Sequence, residues 1–491
     1  MTDIKQINYP EPNTVFTEKK SIKKYLKYLL FFGPGAIVAS LTIGQGQLIL
    51  GPQIGAWAGF ALLWLITLNI GSYIIAYVSC RFTMLSGIGI MDLFAIKTKK
   101  GWLNWIFIII MLIFIPVFTA TIMTSLGQAL NWIFGFGHYL IWGIVFCVIA
   151  GIIVIIGRFK LFEISHSIFI LVLAIGAVIS VITVIVVNNI DIMKIIPNFF
   201  TIGQNVPKEF PAWVTSNPDY SSVTKTSIPL YMLAYLGTLT ITIITTIGYL
   251  GWIKVKKWGV FKDKKDPEGF SNNCLENFKK QGKISYLPDK PSEIKKSRIL
   301  LKPVKIDLIL AFIIVSIVSA SYMIAGAALL GPAHQLPSDA KLVHEQLIIF
   351  EHLAEWLKPI FQISVVFALF GTVYAGFEAA TRMLYETSKN LSKKIRDFEY
   401  KRFMLYVFMY ILVFSIPLAI KMAVDPNFSV LLLLSITLLF IGVIGVIIYG
   451  LGVIVISQTV LPKKYRLKHY GLVITIIGII FMCIPLVFLF L

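Results

Sequence analysis

Residues 33–53 of the chain read GPGAIVASLTIGQGQLILGPQ, an apolar stretch interrupted by five glycines and three glutamines. A helix that crosses a bilayer satisfies its own backbone, so non-helical backbone at membrane depth is tolerated only where protein or a cavity surrounds it. Glycine frees the backbone, and glutamine supplies both an acceptor and a donor. The stretch therefore predicts a transmembrane helix that is broken at 44–47.

The rest of the chain has the composition of a membrane protein. Of its 491 residues 57% are hydrophobic and only 14% are charged, and the mean hydropathy is +0.83, whereas soluble domains carry about 25% charged residues. Apolar runs long enough to cross a bilayer predict an all-α polytopic protein with eleven transmembrane helices. The predicted spans are roughly 28–50, 56–80, 102–126, 139–157, 163–188, 227–253, 304–330, 357–384, 403–422, 428–458 and 468–490.

The chain has a net charge of +20, and its lysines and arginines are distributed unevenly between the two predicted sides of the membrane. With the amino terminus in the cytoplasm, 38 of the 44 lysines and arginines lie on the inside and six on the outside, as the positive-inside rule predicts. We therefore expect a multi-pass protein of the cell (plasma) membrane, with the lipid bilayer and a small ion or small molecule as its partners and no nucleic acid. The sequence assigns no oligomeric state.

Catalytic and cofactor motifs are not found in the sequence. The four cysteines are scattered without CxxC spacing, which argues against a disulfide framework or a zinc site. No P-loop, HExxH or GxSxG motif occurs. We expect neither an enzyme nor a bound cofactor, and the energy for transport is expected from an ion gradient, as in a symporter, or from the membrane potential.

A second interruption lies in the sixth span, where residues 237–248 read GTLTITIITTIG. Breaks in spans one and six indicate two five-helix halves of opposite orientation, with a site between the broken helices near the midplane. The alternative is that the glycines only permit close packing and that the threonines bond back to their own helix. The predicted site residues are Gly44, Gln45, Gln47, Thr240 and Thr242, with Gln45 and Gln47 as candidate metal ligands.

This organisation divides the chain into an amino-terminal cytoplasmic tail, 1–27, and a transmembrane transporter domain, 28–490. The domain is divided into repeat one (about 28–188), repeat two (about 227–458) and an extra helix (about 468–490). The lysine-rich inside loop at about 254–303 is predicted to be mostly disordered or loosely packed against anionic headgroups, with a regulatory or partner-binding role as the alternative.

Ionisable residues within spans are costly and are candidates for function. Glu378 lies four residues before Arg382, and it is a candidate cation ligand, proton carrier or structural partner of that arginine. Glu163 and His166 are candidate members of a proton relay. In the outside loop at 331–356, three histidines and nearby glutamates predict either a cation-gathering surface or an amphipathic helix on the outer face.

The first two spans resemble those of the Nramp family of divalent-metal transporters. The shared features are GPG at 33–35, a break eleven residues later, QIGA at 53–56 and GFALLW at 59–64, where the family has GPG, DPGN, QAGA and GxxLLW. The resemblance implies the five-plus-five inverted-repeat fold of the amino acid, polyamine and organocation superfamily, with helices 1 and 6 broken. It also implies a secondary transporter.

The chain departs from the family pattern in the metal-binding motifs. GQGQ replaces DPGN at 44–47, and ITI at 241–243 replaces the family's Met-Pro-His. Loss of the carboxylate and the thioether removes the ligands that select transition metals. We therefore expect alternating-access transport of a cation that resembles Mg²⁺ more than Mn²⁺ or Fe²⁺, since Nramp-related magnesium transporters also lack the methionine. The alternatives are a same-fold transporter of a small organic solute and a non-transporting Nramp-like sensor.

Overall fold

The computed structural model describes residues 6–19, 21–157, 159–337, 357–425 and 428–490, and within these ranges all regular secondary structure is helical. The main helices are α1 (Pro34–Thr42), α2 (Gly51–Ala58), α3 (Ile70–Ser86), α4 (Trp102–Phe134), α5 (Tyr139–Ile156), α6 (Phe159–Val187), α7 (Ile228–Leu239), α8 (Ile243–Val255), α9 (Pro267–Gln281), α10 (Pro291–Leu300), α11 (Lys302–Ala325), α12 (Leu357–Ser388), α13 (Tyr400–Val424), α14 (Val430–Leu438), α15 (Gly445–Thr459) and α16 (His469–Val487). Shorter helices are Ile22–Tyr28, Trp64–Leu68, Ile90–Lys97, Ile192–Ile195, Ala212–Thr215, Ser221–Thr224 and Lys393–Arg396. We call the end of the bundle that carries α9 and α10 the inner face.

Among the described residues, nine helices are long and apolar enough to cross a membrane. A tenth is formed if Ile22–Phe31 and Pro34–Ala58, which meet at a bend of 69°, are one span. Helix α12 coincides with the predicted eighth span. The all-α polytopic class is confirmed, whereas the count of eleven stays a prediction.

The boundary between the first two spans differs from the predicted one. The first span was expected to end at 50 and the second to begin at 56, but α2 continues to Ala58 and the next helix begins at Trp64. Proline lacks only a donor that the first turn of a helix does not use, so Pro52 is accommodated at the start of α2. The helix ends instead at Gly59, whose φ of +60° favours glycine.

Burial separates a central helix pair from the periphery. In the span Ile228–Phe261, which contains α7 and α8, 94% of the most apolar window is buried inside the protein. The buried share of the same window is 33% for α5 and 28% each for the spans of α6 and α16. The interrupted sixth span is therefore central, while α5, α6 and α16 present apolar side chains to the surroundings, as lipid-facing helices do.

The lysine-rich segment at 254–303 is packed and not loose, so that prediction was wrong. It contains α9 and α10, and Asp266 caps α9 by accepting a hydrogen bond from the Gly269 amide at 2.9 Å. Cys274 and Tyr286 are fully buried, and Phe278 is 2% exposed. These apolar contacts come from the rest of the protein, so the polar composition of the segment concealed them.

A buried ionic cluster joins this segment to the inner ends of α8 and α12. The Lys254 ammonium lies 2.9 Å from Glu268 and 3.1 Å from Glu386, and the Lys389 ammonium lies 2.5 Å from Glu268 and 2.7 Å from Glu386. Burial alone would raise the pKa of the Glu268 carboxyl, but the two lysines outweigh burial and hold it well below its usual range. The cluster thus fixes α9 against two transmembrane helices.

The packed segment predicts that Cys274 is chemically protected. Burial raises the pKa of the Cys274 thiol to about 12, and the thiolate is the reactive form. We expect maleimide labelling of Cys274 in the native protein to be at least about a hundredfold slower than in denaturant. Phe278→Ala is expected to accelerate the labelling about tenfold, because loss of a buried phenyl ring costs about 3–5 kcal/mol and loosens the segment. Labelling of native Cys274 at the denatured rate would contradict the packing.

The outer histidine cluster falls partly outside the described residues. His344, Glu345, Glu351, His352 and Glu355 are not described. His334 is described, and its ring stacks on Trp213 at 5.2 Å. Within the described ranges no group of three or more histidines, cysteines, aspartates or glutamates is arranged to hold a metal ion.

Candidate functional site

The first broken helix has its break at Gly44. This residue has φ −49° and ψ −107°, outside the helical region, within a π-type turn that spans Ile43–Leu50. A Cβ atom at Gly44 would collide with the Thr372 hydroxyl of α12, and one at Gly46 would collide with the Thr238 side chain of α7. The glycines therefore permit both a non-helical turn and a close approach to two neighbouring helices.

The second broken helix is unwound between Leu239 and Ile243. Thr240 and Thr242 are extended, with ψ of 152° and 164°. The Ile241 amide donates to Ser72 Oγ at 3.1 Å, and Thr246 Oγ1 donates to the Ile241 carbonyl at 3.1 Å. Side chains thus satisfy the freed peptide groups, as non-helical backbone inside a membrane requires.

The two breaks enclose a small cavity of about 20 Å³, which is room for about one water molecule. Thr42 and Gly46 contribute from the first broken helix, and Thr238 and Thr242 from the second. Apolar side chains of α4 and of the α14 region close the remaining walls. None of the described lining residues is charged or contains sulfur.

Gln47 places an unpaired oxygen in the first broken turn, next to Thr238, which lines the cavity. Thr238 Oγ1 donates to the Tyr235 carbonyl at 2.7 Å and therefore accepts from Gln47 Nε2 at 2.9 Å. This pairing orients the amide, so Oε1 points away from Thr238. Gln47 is fully buried, and Oε1 has no hydrogen-bond partner among the described atoms. A buried carbonyl oxygen without a partner costs about 1–3 kcal/mol, which a bound cation or water would offset.

The other predicted site residues are placed differently. Thr242 caps α8 by accepting from the Thr245 amide at 3.3 Å, and its side chain lines the cavity. The Thr240 hydroxyl lies 2.9 Å from both the Gly237 and Gly442 carbonyls, so it serves the packing of α7 and not the cavity. The backbone of Gln45 lies in the broken turn, but its side chain is outside the described part of the chain.

Glu378 is held by three partners. Its Oε1 lies 2.8 Å from the Arg382 guanidinium and accepts from Trp252 Nε1 at 3.3 Å, while Oε2 accepts from the Tyr400 hydroxyl at 3.0 Å. Of the three roles predicted for Glu378, the geometry matches the structural partner of Arg382. A carboxylate with this many donors is poorly placed to bind a cation as well.

The two predicted relay residues on α6 lie apart from the cavity lining. Glu163 forms an ion pair with Lys256 at 2.7 Å, which joins α6 to the inner end of α8. His166 is fully buried, with Nε2 3.2 Å from the Gly371 carbonyl and its ring stacked on Tyr374 at 5.2 Å. Neither Glu163 nor His166 is among the described residues that line the cavity.

The sequence reasoning missed Asp307. This fully buried carboxyl group on α11 accepts from the Gly33 amide at 2.8 Å, from the Gly35 amide at 2.7 Å and from the Tyr249 hydroxyl. It therefore holds the start of α1 against α8 and α11 at the inner end of the site. The sequence does contain a signal for it, since Asp307 is the fourth residue of the predicted span 304–330. An acidic residue within a span is costly unless it has a partner.

The close packing at Gly44 predicts that restoring the family's aspartate there is costly. Gly44→Asp is expected to destabilise the protein by about 1–3 kcal/mol, because the new side chain meets Thr372. Adding Thr372→Gly is expected to recover much of this loss and to create Mn²⁺ binding, since a carboxylate then enters the site. Thermal unfolding and Mn²⁺ titration of both single variants and the double variant measure the coupling. The prediction would be contradicted if the double variant lost as much stability as the two single variants together and bound no Mn²⁺.

An all-helical membrane bundle whose two broken helices meet at a small internal cavity has the architecture of a secondary transporter. Residues 35–491 match the family model described as Natural resistance-associated macrophage protein-like, and the chain belongs to this Nramp family. The resemblance inferred from the sequence is thereby confirmed. The family is one of secondary metal-ion transporters and not of enzymes.

Solved structures share this fold at low sequence identity. A mutant of the manganese transporter of Eremococcus coleocola is 13% identical with a TM-score of 0.61, over 99% of this chain and 89% of that one. The same transporter in complex with an aromatic bis-isothiourea compound is 12% identical with a TM-score of 0.58, over 96% and 88%. Mhp1, a nucleobase-cation-symport-1 family transporter, is 13% identical with a TM-score of 0.50, over 92% and 90%. No curated protein sequence matches the chain.

Proposed function

We propose that the protein moves a divalent metal cation by alternating access, and that this cation resembles Mg²⁺ more than Mn²⁺ or Fe²⁺. The observation that carries the proposal is the buried, unpaired Oε1 of Gln47 between the two broken helices. An amide oxygen is a hard, neutral ligand, and Mg²⁺ prefers oxygen ligands and keeps part of its water.

The donor set argues against a transition metal. The described cavity lining offers hydroxyl and backbone oxygen, without the sulfur or carboxylate that selects Mn²⁺ or Fe²⁺ over Mg²⁺. The related transporter from Eremococcus coleocola is described as a manganese transporter. The proposal thus places this chain in the same fold with a different cation preference.

The membrane potential is the proposed driving force. A divalent ion gains about 4.6 kcal/mol per 100 mV, twice the value for a single charge. The carboxylates Glu163 and Glu378 are paired with cations and lie away from the described cavity lining, so neither is proposed as a carrier of a coupled proton.

We place the protein in the plasma membrane with its amino terminus in the cytoplasm, which the distribution of lysine and arginine supports.

The size of the cavity favours an ion over an organic solute. Pockets for small organic ligands usually enclose about 300–1,000 Å³, and the space between the breaks is about 20 Å³. That space fits one ion or one water molecule. The site would hold further water only when one side opens.

Uptake into proteoliposomes tests the proposal. The full chain is reconstituted, an inside-negative potential is imposed, and entry of Mg²⁺, Ca²⁺ and Mn²⁺ is followed with entrapped indicators. We expect potential-driven Mg²⁺ entry that equimolar Mn²⁺ does not suppress, and that the double variant Gln45→Ala, Gln47→Ala loses. Entry of Mn²⁺ in preference to Mg²⁺ would overturn the selectivity, and entry of none of the three ions would overturn the cation proposal.

A further inference from the structure

A second cavity lies on the lipid-facing side of the bundle, between α3, α11 and α16. Its volume is about 340 Å³, and its walls are mostly apolar, with Tyr77, Leu308 and Ile474 among them. Two lining residues, Ile309 and Ile474, are 45% and 51% exposed. The cavity is therefore a groove that opens sideways, where a membrane protein meets lipid.

The groove is long enough to hold most of an acyl chain within one leaflet. Its lining extends along α3 from Ile70 to Val78 and along α11 from Lys305 to Phe312. At 1.5 Å per residue these segments are about 10–12 Å long, which is most of the roughly 15 Å depth of one leaflet. The Tyr73 and Phe312 rings pack edge to face at 5.3 Å and form part of the deep end.

The end of the groove nearest the inner face is positively charged. Lys305 lines the groove and is exposed, and it forms no ion pair within the described chain. Arg81 lies one turn beyond Tyr77 on α3, and its Nη2 donates to the carbonyls of Tyr465 at 2.5 Å and Arg466 at 3.2 Å. Its Nη1 is buried without a hydrogen-bond partner among the described atoms. The carbonyl contacts place Arg81 beside Leu467, which also lines the groove.

We propose that this groove binds an anionic phospholipid, with one acyl chain along the apolar walls and the phosphate at Lys305. Basic pockets between transmembrane helices at the inner side are suited to anionic headgroups. The exposed, unpaired ammonium of Lys305 would gain a partner from a phosphate oxygen, and Arg81, which lies behind the groove lining, adds positive charge at this end. This site is separate from the transport cavity.

Native mass spectrometry of the full-length protein tests the assignment. The protein is reconstituted in an equimolar mixture of dioleoyl phosphatidylglycerol and dioleoyl phosphatidylcholine, which have the same acyl chains. We expect the retained lipid to favour phosphatidylglycerol about fivefold or more, the scale of one or two basic contacts. Lys305→Gln should reduce this preference to about twofold or less, whereas Lys401→Gln, an exposed lysine at the start of α13, should leave it unchanged.

A second variant tests the apolar walls independently of the charge. A Cβ atom at Gly471 meets only Leu467, at 3.6 Å, so Gly471→Trp projects into the groove. This variant should reduce retention of both lipids. Equal retention of the two lipids by the wild type, or a preference unchanged in Lys305→Gln, would overturn the proposal. A dimer that Gly471→Trp dissociates would also overturn it, because the groove would then bind a second copy of the chain.

Discussion

Replacement of Gln47 by alanine is expected to lower Mg²⁺ uptake by at least about tenfold, which corresponds to the loss of about 1.4 kcal/mol of binding. The amide is held by Thr238 at 2.9 Å, and its free oxygen is a buried, hard ligand within the first broken turn. Thr238 keeps its own bond to the Tyr235 carbonyl in the variant. The melting temperature should therefore change little, and the loss should be one of transport.

Two further variants separate this role from general packing. Gln458→Ala changes a glutamine on α15 whose amide lies 3.5 Å from the Leu467 carbonyl, away from the described cavity lining, and should transport normally. Gln47→Glu keeps the shape and adds a negative charge, so it should bind divalent cations more tightly than the wild type. Normal Mg²⁺ uptake by Gln47→Ala, in proteoliposomes with equal protein content, would exclude Gln47 as a ligand.

The two broken helices could be predicted because their causes are local. Glycine and glutamine at 44–47 and clustered threonine at 237–248 make poor lipid-facing helices, whatever packs around them. The structure has its non-helical residues within both stretches. The end of the first span was misplaced because Gly51-Pro52 has the pattern of a stop, although proline is also suited to the first turn of a helix.

Features that depend on distant residues could not be predicted in the same way. Thr240 is turned from the cavity by the Gly442 carbonyl, which is 202 residues away in sequence. The pairing of Glu378 with Arg382 follows from their spacing of four on one helix, but the contact with Tyr400 comes from another helix. The buried side chains of the lysine-rich segment likewise meet partners that no local pattern reveals.

Substitution of Asp307 by alanine is expected to open the inner end of the site. The carboxyl group is the acceptor for two backbone amides at the start of α1 and for the Tyr249 hydroxyl of α8. Each buried donor left without an acceptor costs about 1–3 kcal/mol, so α1 should separate from α8 and α11. Mg²⁺ uptake should fall by at least about tenfold, because a site that cannot close on one side cannot alternate.

Cys80 provides the readout for this opening. It is fully buried on α3, which packs against both α8 and α11. In a background with Cys147, Cys274 and Cys483 changed to serine, Asp307→Ala should accelerate maleimide labelling of Cys80 at least about tenfold.

Tyr249→Phe is the graded comparison for Asp307→Ala, because it removes one donor and leaves both backbone contacts of Asp307. Its effect on Cys80 labelling and on uptake should be clearly smaller, since the Gly33 and Gly35 amides keep their acceptor. If Asp307→Ala left both Cys80 protection and uptake as in the wild type, the carboxyl group would not hold the inner end closed. If uptake were lost while Cys80 stayed protected, α1 would still be packed against α8 and α11 without its acceptor. Asp307 would then be needed for the movement between transport states and not for holding the inner end closed.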